Sequence, residues 1–241
     1  SMLARIVEKV SGMEFDTYVK GQILEPLGMQ NTHVHDDHEM IVPGRAYSYY
    51  KSTDGYKKSV LSYANDGATS LFTTVEDLGK WMRNMFNYEL GGEEVVQKLS
   101  ARSRLNSGEY IDYGLGQVNS TVRGHPAVGH GGSDAGFRSM IEWYPEDNSG
   151  FILLANTGNL DQSILNKIRT ILLDEKEGTE EESERPPIVE VSSKVYKKYA
   201  GEYAMNQNFK VSPIATDAAF IFETPFGPYP LDAHSEYSYS A

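Results

Sequence analysis

Residues 113–157 limit the fold most. They hold three short segments, "YGLGQVNSTV" (113–122), "RSMIEWYP" (138–145) and "GFILLANT" (150–157), apolar or alternating, with Gly-, Pro- or Asn-rich turns between them. The spacing suits strands of an antiparallel sheet, since a parallel return needs a longer crossover. Helical patterns flank this block. "LARIVEKV" (3–10) carries apolar residues at helical spacing and is closed by Ser11 and Gly12, and "FDTYVKGQIL" (15–24) is a second short helix ended by Pro26 and Gly28. Thr73 and Thr74 ahead of Glu76 and Asp77 form a capping-box start for a helix over 75–90, with Leu78, Trp81, Met82 and Met85 along one face. Residues 93–101 make another helix and 161–176 a clearly amphipathic one. The fold class is α+β, an antiparallel sheet flanked by helices.

The acidic, proline-closed stretch "EGTEEESERPP" (177–187) has no apolar residue until the next segment begins and reads as a linker. It separates a domain over 1–176 from a small β-rich module over 188–241, whose strands lie in "YAGEYAM", "FKVSPI" and "AAFIFET". There Phe220, Phe222, Phe226 and the tyrosines are expected to form a packed sheet face. Residues 41–65, rich in Tyr, Ser and Lys around "TDGYKK", read as an exposed hairpin.

Composition excludes several functions. The 34 acidic against 22 basic residues leave a charge of −12, which argues against a nucleic-acid partner because that binding needs a basic footprint. With no cysteine there is no disulfide, thiol nucleophile or Cys-based zinc site. No apolar run reaches the length of a membrane span.

Residues 33–38, "HVHDDH", fit the His-x-His-x-Asp-His signature of the metallo-β-lactamase superfamily letter for letter, which would make His33, His35, Asp37 and His38 zinc ligands. The context differs. That signature follows a buried apolar strand, whereas here a helix end and a polar turn, "EPLGMQNT", precede it. The preferred reading is a polar surface loop holding three histidines, with neither metal nor cofactor required.

A second set of residues spans most of the chain. "LARIVEKVSGMEFDTYVKGQILEPLGMQNTHV" (3–34), "GATSLFTTVEDLGKWMRNM" (67–85), "YGLGQ" (113–117) and "GHGGSDAGFRSMIEWYPEDNSGFILLANTGN" (129–159) resemble, in unbroken order, the serine β-lactamase-like hydrolases: class C β-lactamases, D-alanyl-D-alanine peptidases, D-aminopeptidases and related esterases. The resemblance implies a β-lactamase/transpeptidase-like sheet. It implies a small-molecule or peptide substrate (a β-lactam, a D-amino-acid peptide or an ester), an acyl-enzyme route and an extracytoplasmic location. It maps the family's third catalytic motif onto His130, Gly131 and Gly132. His130 then serves as a polar group facing the cleft from a strand edge. Gly131 and Gly132 let substrate approach the strand. The backbone N–H of Ser133 is one of two oxyanion-hole donors.

The same resemblance implies that the family's Ser-x-x-Lys and Tyr-x-Asn segments would precede residue 1. On that reading the chain by itself is expected to be inactive, and to expose apolar surface unless a missing segment or partner chain covers it; the alternative is a non-catalytic, penicillin-binding-like protein that keeps the fold to bind a ligand. One Ser-x-x-Lys does occur, Ser48 to Lys51, but in a stretch without helical periodicity, where residues three apart point to different sides.

Overall fold

A computed structural model describes residues 1–61, 65–161, 163–174, 193–201, 203–206, 209–215, 220–224, 227–233 and 239–240. The chain divides into two compact units, Ser1–Thr179 and Glu180–Ala241. The segment 177–187, expected as a linker, lies outside the described residues.

The first unit opens with helix α1 (Met2–Ser11). Ser1 caps its start by accepting the Ala4 N–H, and Gly12 ends it in the left-handed conformation with its N–H on Glu8 O. α1 buries Ala4 and leaves Met2, Leu3, Ile6 and Val10 exposed. Helix α2 (Phe15–Val19) continues as a π-helical turn, Lys20–Leu24, so the second expected helix is one α-segment plus a wider turn. Strand β1 (His33–Val34) pairs with β4 (Leu71–Phe72). Between them, β2 (Ser48–Ser52) and β3 (Gly55–Ser59) form the exposed hairpin that the pattern predicts.

Helix α3 (Val75–Asn87) starts at Thr74, whose side chain accepts the Asp77 N–H. Asp77 does not complete a capping box. Its buried carboxylate instead reaches a different segment and accepts from the Asn31 N–H at 2.7 Å and the Thr32 hydroxyl at 2.9 Å. Lys80 ties the same carboxylate to Gly28 O. Burial alone would raise the Asp77 carboxyl; the hydrogen bonds from Lys80, Thr32 and Asn31 outweigh it and hold it below the usual carboxylate range.

Helix α4 (Gly92–Ser100) and short strands β5 (Ser103–Arg104) and β6 (Tyr110–Ile111) lead to the main sheet. That sheet comprises β7 (Val118–Val122), β8 (His125–Asp134), β9 (Phe137–Tyr144) and β10 (Ser149–Ala155), all antiparallel in the order β10-β9-β8-β7. The segment expected as a strand from 113 becomes one only at Val118. Before that, residues 112–119 turn back on themselves, with the Asn119 N–H on Asp112 O at 2.7 Å and the Gly114 N–H on Gln117 O at 2.8 Å.

Helix α5 (Ser163–Leu172) follows the sheet. Neighbours Trp143 and Tyr144 on β9 face opposite ways and anchor two cores. Trp143 packs with Met82, Met85, Val96 and Val128; Tyr144 packs with Ala127 and with Leu173 just past α5. Each large side chain buried this way contributes about 1.5–3 kcal/mol. Helices cover both faces, which explains why "GFILLANT" is apolar throughout rather than alternating.

In the second unit, helix α6 (Ser193–Tyr199) precedes β11 (Tyr203–Asn206), β12 (Phe209–Ala215), β13 (Phe220–Thr224), β14 (Gly227–Ala233) and β15 (Tyr239–Ser240). These strands pair antiparallel in sequence order. The packing expected of Phe220, Phe222 and Phe226 lies outside the described side chains. No helix among the described residues is long and apolar enough to cross a membrane.

Candidate active site

β8 is paired on one side for longer than on the other. β9 accompanies it through Asp134↔Phe137, whereas β7 stops at Val118↔Gly129. From His130 to Asp134, roughly 16 Å of strand at about 3.3 Å per residue, no described strand pairs with the second edge. His130, Gly131, Gly132 and Ser133 stand on this stretch, and all four are exposed. The glycines therefore sit inside a strand, not in a hairpin turn. The turn comes later, at Ala135 and Gly136, with Ala135 at φ 47°.

Alternation divides the four residues between two faces. His130 and Gly132 share the α3 face with Ile141 and Trp143. Gly131 and Ser133 share the α5 face with Met140 and Arg138. On that second face lies a cavity of about 340 Å³ lined by Ser133, Arg138, Met140, Leu153 and Leu165 among others. The histidine and the cavity are thus on opposite sides of the same strand.

Among the described residues His130 has two polar contacts. Its Nδ1 lies 2.6 Å from Gly131 O, and its Nε2 lies 3.2 Å from Tyr113 Oη. The two rings meet edge-on, 5.7 Å apart at 75°. Tyr113 is absent from the site expected from sequence. The only signal was its place ahead of two glycines in "YGLG", which reads equally well as the start of a strand. At Gly132 an added Cβ would lie 2.2 Å from Ser139 Oγ, so close packing across the strands is one reason for that glycine.

Ser48, first residue of the Ser-x-x-Lys match, is buried at the start of β2, while Lys51 is exposed. The Ser48 hydroxyl donates to Ser59 O at 3.1 Å and accepts the Gly136 N–H at 3.1 Å. It fastens the Tyr-rich hairpin to the β8–β9 turn. A Cβ at Gly136 would fall 2.7 Å from Tyr49 O, so the two backbones approach as closely as only glycine permits.

The histidine-rich stretch is the expected surface loop only over Asp36, Asp37 and His38, which are exposed; its first half departs from that reading. His35 is wholly buried, its ring stacked on Phe72 at 4.0 Å and 16°. The backbone N–H of His35 donates to Ser70 O at 2.8 Å, and His33 pairs with Phe72 on β4. Periodicity could not reveal this, because the covering aromatic lies far along the chain. Burial pushes His35 below the ordinary histidine value, with Arg45 and His33 adding to the effect, and burial lowers His33 likewise. Asp37 turns to its own loop and accepts the Glu39 N–H at 2.9 Å. Among the described residues, no three His, Asp or Glu side chains are grouped to hold a metal ion.

Comparison with known proteins agrees with this architecture. Penicillin-binding protein 4* of Bacillus subtilis (strain 168) is 28% identical over 226 residues, 85% of this chain and 49% of that protein. The octameric penicillin-binding protein homologue from Pyrococcus abyssi superposes with a TM-score of 0.61 at 21% identity, over 95% of this chain and 53% of that one. The D-amino acid amidase of Ochrobactrum anthropi SV3 gives 0.58 at 19%, over 71% and 54%. The chain thus spans about half the length of these relatives. The profile of the Beta-lactamase family matches residues 1–174, the whole of the first unit's described part, and the chain belongs to that family.

Proposed function

We propose that the open edge of β8 forms the substrate-side wall of a serine acyl-hydrolase site. The observation that carries this reading is the stretch from His130 to Ser133, which pairs with β9 on one edge and with no described strand on the other, and has an exposed histidine at its start. A strand with a free edge can hold an extended amide or ester substrate by main-chain hydrogen bonds. Exposed glycines at 131 and 132 leave room for that approach. The Ser133 N–H, on the same stretch, is the proposed donor to the oxyanion that forms when a serine attacks the substrate carbonyl. The serine oxygen bonds to the carbonyl carbon and the leaving group departs with a proton. Water then releases the acyl group and restores the serine.

Substrates within reach of this chemistry are β-lactams, D-amino-acid amides or peptides, and carboxylic esters. The amidase relative supports the second class, and the kinship with penicillin-binding proteins supports an extracytoplasmic location. Residues 1–176 are assigned to this catalytic fold and 188–241 to an accessory module. The structural role of Ser48 and the strand position of Lys51 favour a nucleophile other than Ser48.

The test uses the full-length protein, a serine-reactive fluorophosphonate, and chromogenic members of the three substrate classes. The reading expects one covalent adduct, on a serine other than Ser48, turnover of at least one class, and loss of most turnover in His130→Ala. An adduct on Ser48, or full turnover in His130→Ala, overturns it.

A further inference from the structure

His130 is held from two directions, and the two contacts assign each other. Gly131 O can only accept, so the Nδ1 atom 2.6 Å away carries the proton of the neutral ring. Nε2 is then a bare acceptor, and the Tyr113 hydroxyl 3.2 Å away is its donor. A neutral His130 fixed in this way has no N–H to spare. Its own strand fixes one nitrogen, and Tyr113 fixes the other.

The chain places Tyr113 by backbone, not by chance contact of two exposed side chains. Tyr113 forms an isolated bridge with Val118, and Val118 pairs with Gly129, the residue before His130. The turn between is closed by the Asn119 N–H on Asp112 O and the Gly114 N–H on Gln117 O. Gly114 is pressed against the end of α4, where an added Cβ would lie 2.1 Å from Ala101 O. The edge-on ring contact at 5.7 Å completes the placement.

We infer that Tyr113 is a positioning residue: its hydroxyl sets the orientation and bonded state of His130 at the open edge of β8. The inference rests on the reading of His130 as a site residue, but the contact itself can be tested apart from it.

The protein is labelled with ¹⁵N, and imidazole nitrogens are observed by long-range proton–nitrogen correlation. His130 is identified among the six histidines by loss of its signals in His130→Gln. Wild type is expected to show Nδ1 protonated and Nε2 as a hydrogen-bonded acceptor. Tyr113→Phe keeps the ring and removes only the hydroxyl. It is expected to move the Nε2 resonance toward that of an unbonded nitrogen, or to redistribute the tautomers, with the backbone spectrum otherwise retained. An unmoved Nε2 resonance overturns the inference.

A second arm reads turnover in the full-length protein. Loss of one hydrogen bond to the site histidine is expected to lower kcat about tenfold in Tyr113→Phe, with KM nearly unchanged. Wild-type kcat in Tyr113→Phe overturns the positioning role. Full turnover in His130→Ala with a moved Nε2 resonance sinks the site reading and leaves the contact standing, so the two failures are distinguishable.

Discussion

Arg169 of α5 grips Glu142 of β9 with two parallel donors, Nε to Oε1 at 2.9 Å and Nη2 to Oε2 at 2.5 Å. Tyr144 Oη donates to the same Oε1 at 2.5 Å. The pair lies mostly out of water, with side chains 22% and 7% exposed, so geometry rather than bare attraction decides its worth. Burial first, and then the bond to Glu142, push the Tyr144 hydroxyl well above its ordinary value, so it stays a donor. This is how α5 is fastened to the face opposite His130.

Arg169→Ala is therefore expected to cost about 3–5 kcal/mol, because it leaves a buried carboxylate without its cation. The triple change Glu142→Leu, Arg169→Leu and Tyr144→Phe, which also removes the hydroxyl that would lose its acceptor, should cost much less. Urea unfolding of the three proteins gives the comparison. A single-mutant loss under about 1 kcal/mol, the size of an ordinary exposed pair, would mean that the pair does not anchor the helix.

Ser48 gives a second case in which a suggestive residue has a structural duty. Ser48→Ala leaves the Gly136 N–H without its acceptor in a buried place, a loss of about 1–3 kcal/mol. Fluorophosphonate labelling of the full-length protein should persist in this variant. Abolished labelling with unchanged stability would point to Ser48 as the nucleophile after all.

Much of this architecture is legible in residue order. Helical spacing marks α3 and α5, and a short apolar run marks β10, because such patterns report which sides of an element are covered; the apolar spacing of α1 marks the helix although most of those residues are exposed. What covers that side is not so encoded. His35 lies in a polar-looking run, and only Phe72, brought across by the β1–β4 pairing, makes its surroundings apolar. Tyr113 and His130 are 17 residues apart, and Glu142 and Arg169 are 27 apart, so no local period connects them. The continuation of β8 through residues 129–132 is not legible for another reason. "GHGG" carries turn residues, yet cross-strand pairing with β9 overrides their preference.

Stability should fall on acidification in two separate windows. His33 and His35 sit below the ordinary histidine value in the folded protein, so above about pH 6.5 both folded and unfolded states hold them neutral. As pH drops below that, the unfolded chain takes up protons that the folded one refuses, and stability declines until the folded values are passed. Among the described residues His35 Nε2 is buried without a hydrogen-bond partner, so a proton there would be poorly compensated. Asp77 acts lower down: its depressed carboxyl stabilises the fold above about pH 4 and loses that effect as pH falls through its folded value. Urea midpoints between pH 8 and 5 should thus decline in wild type and decline less in His35→Leu. A slope identical in the two proteins would remove His35 from the account.

Gly132 has two candidate reasons to be glycine, and a paired substitution separates them. Packing is one, since a Cβ there would meet Ser139 Oγ at 2.2 Å. Approach of substrate to the open edge is the other. Gly132→Ala alone should lower turnover, and stability by no more than about 1 kcal/mol, because the only atom in the way is the Ser139 hydroxyl, which can turn to another rotamer. Adding Ser139→Ala removes the colliding oxygen and should restore most of the stability, as coupled neighbours do. If the open edge of β8 receives substrate, turnover in the full-length protein should remain low in this restored double mutant, because the new methyl still stands on the His130 face. Recovery of turnover along with stability would assign the glycine to packing alone.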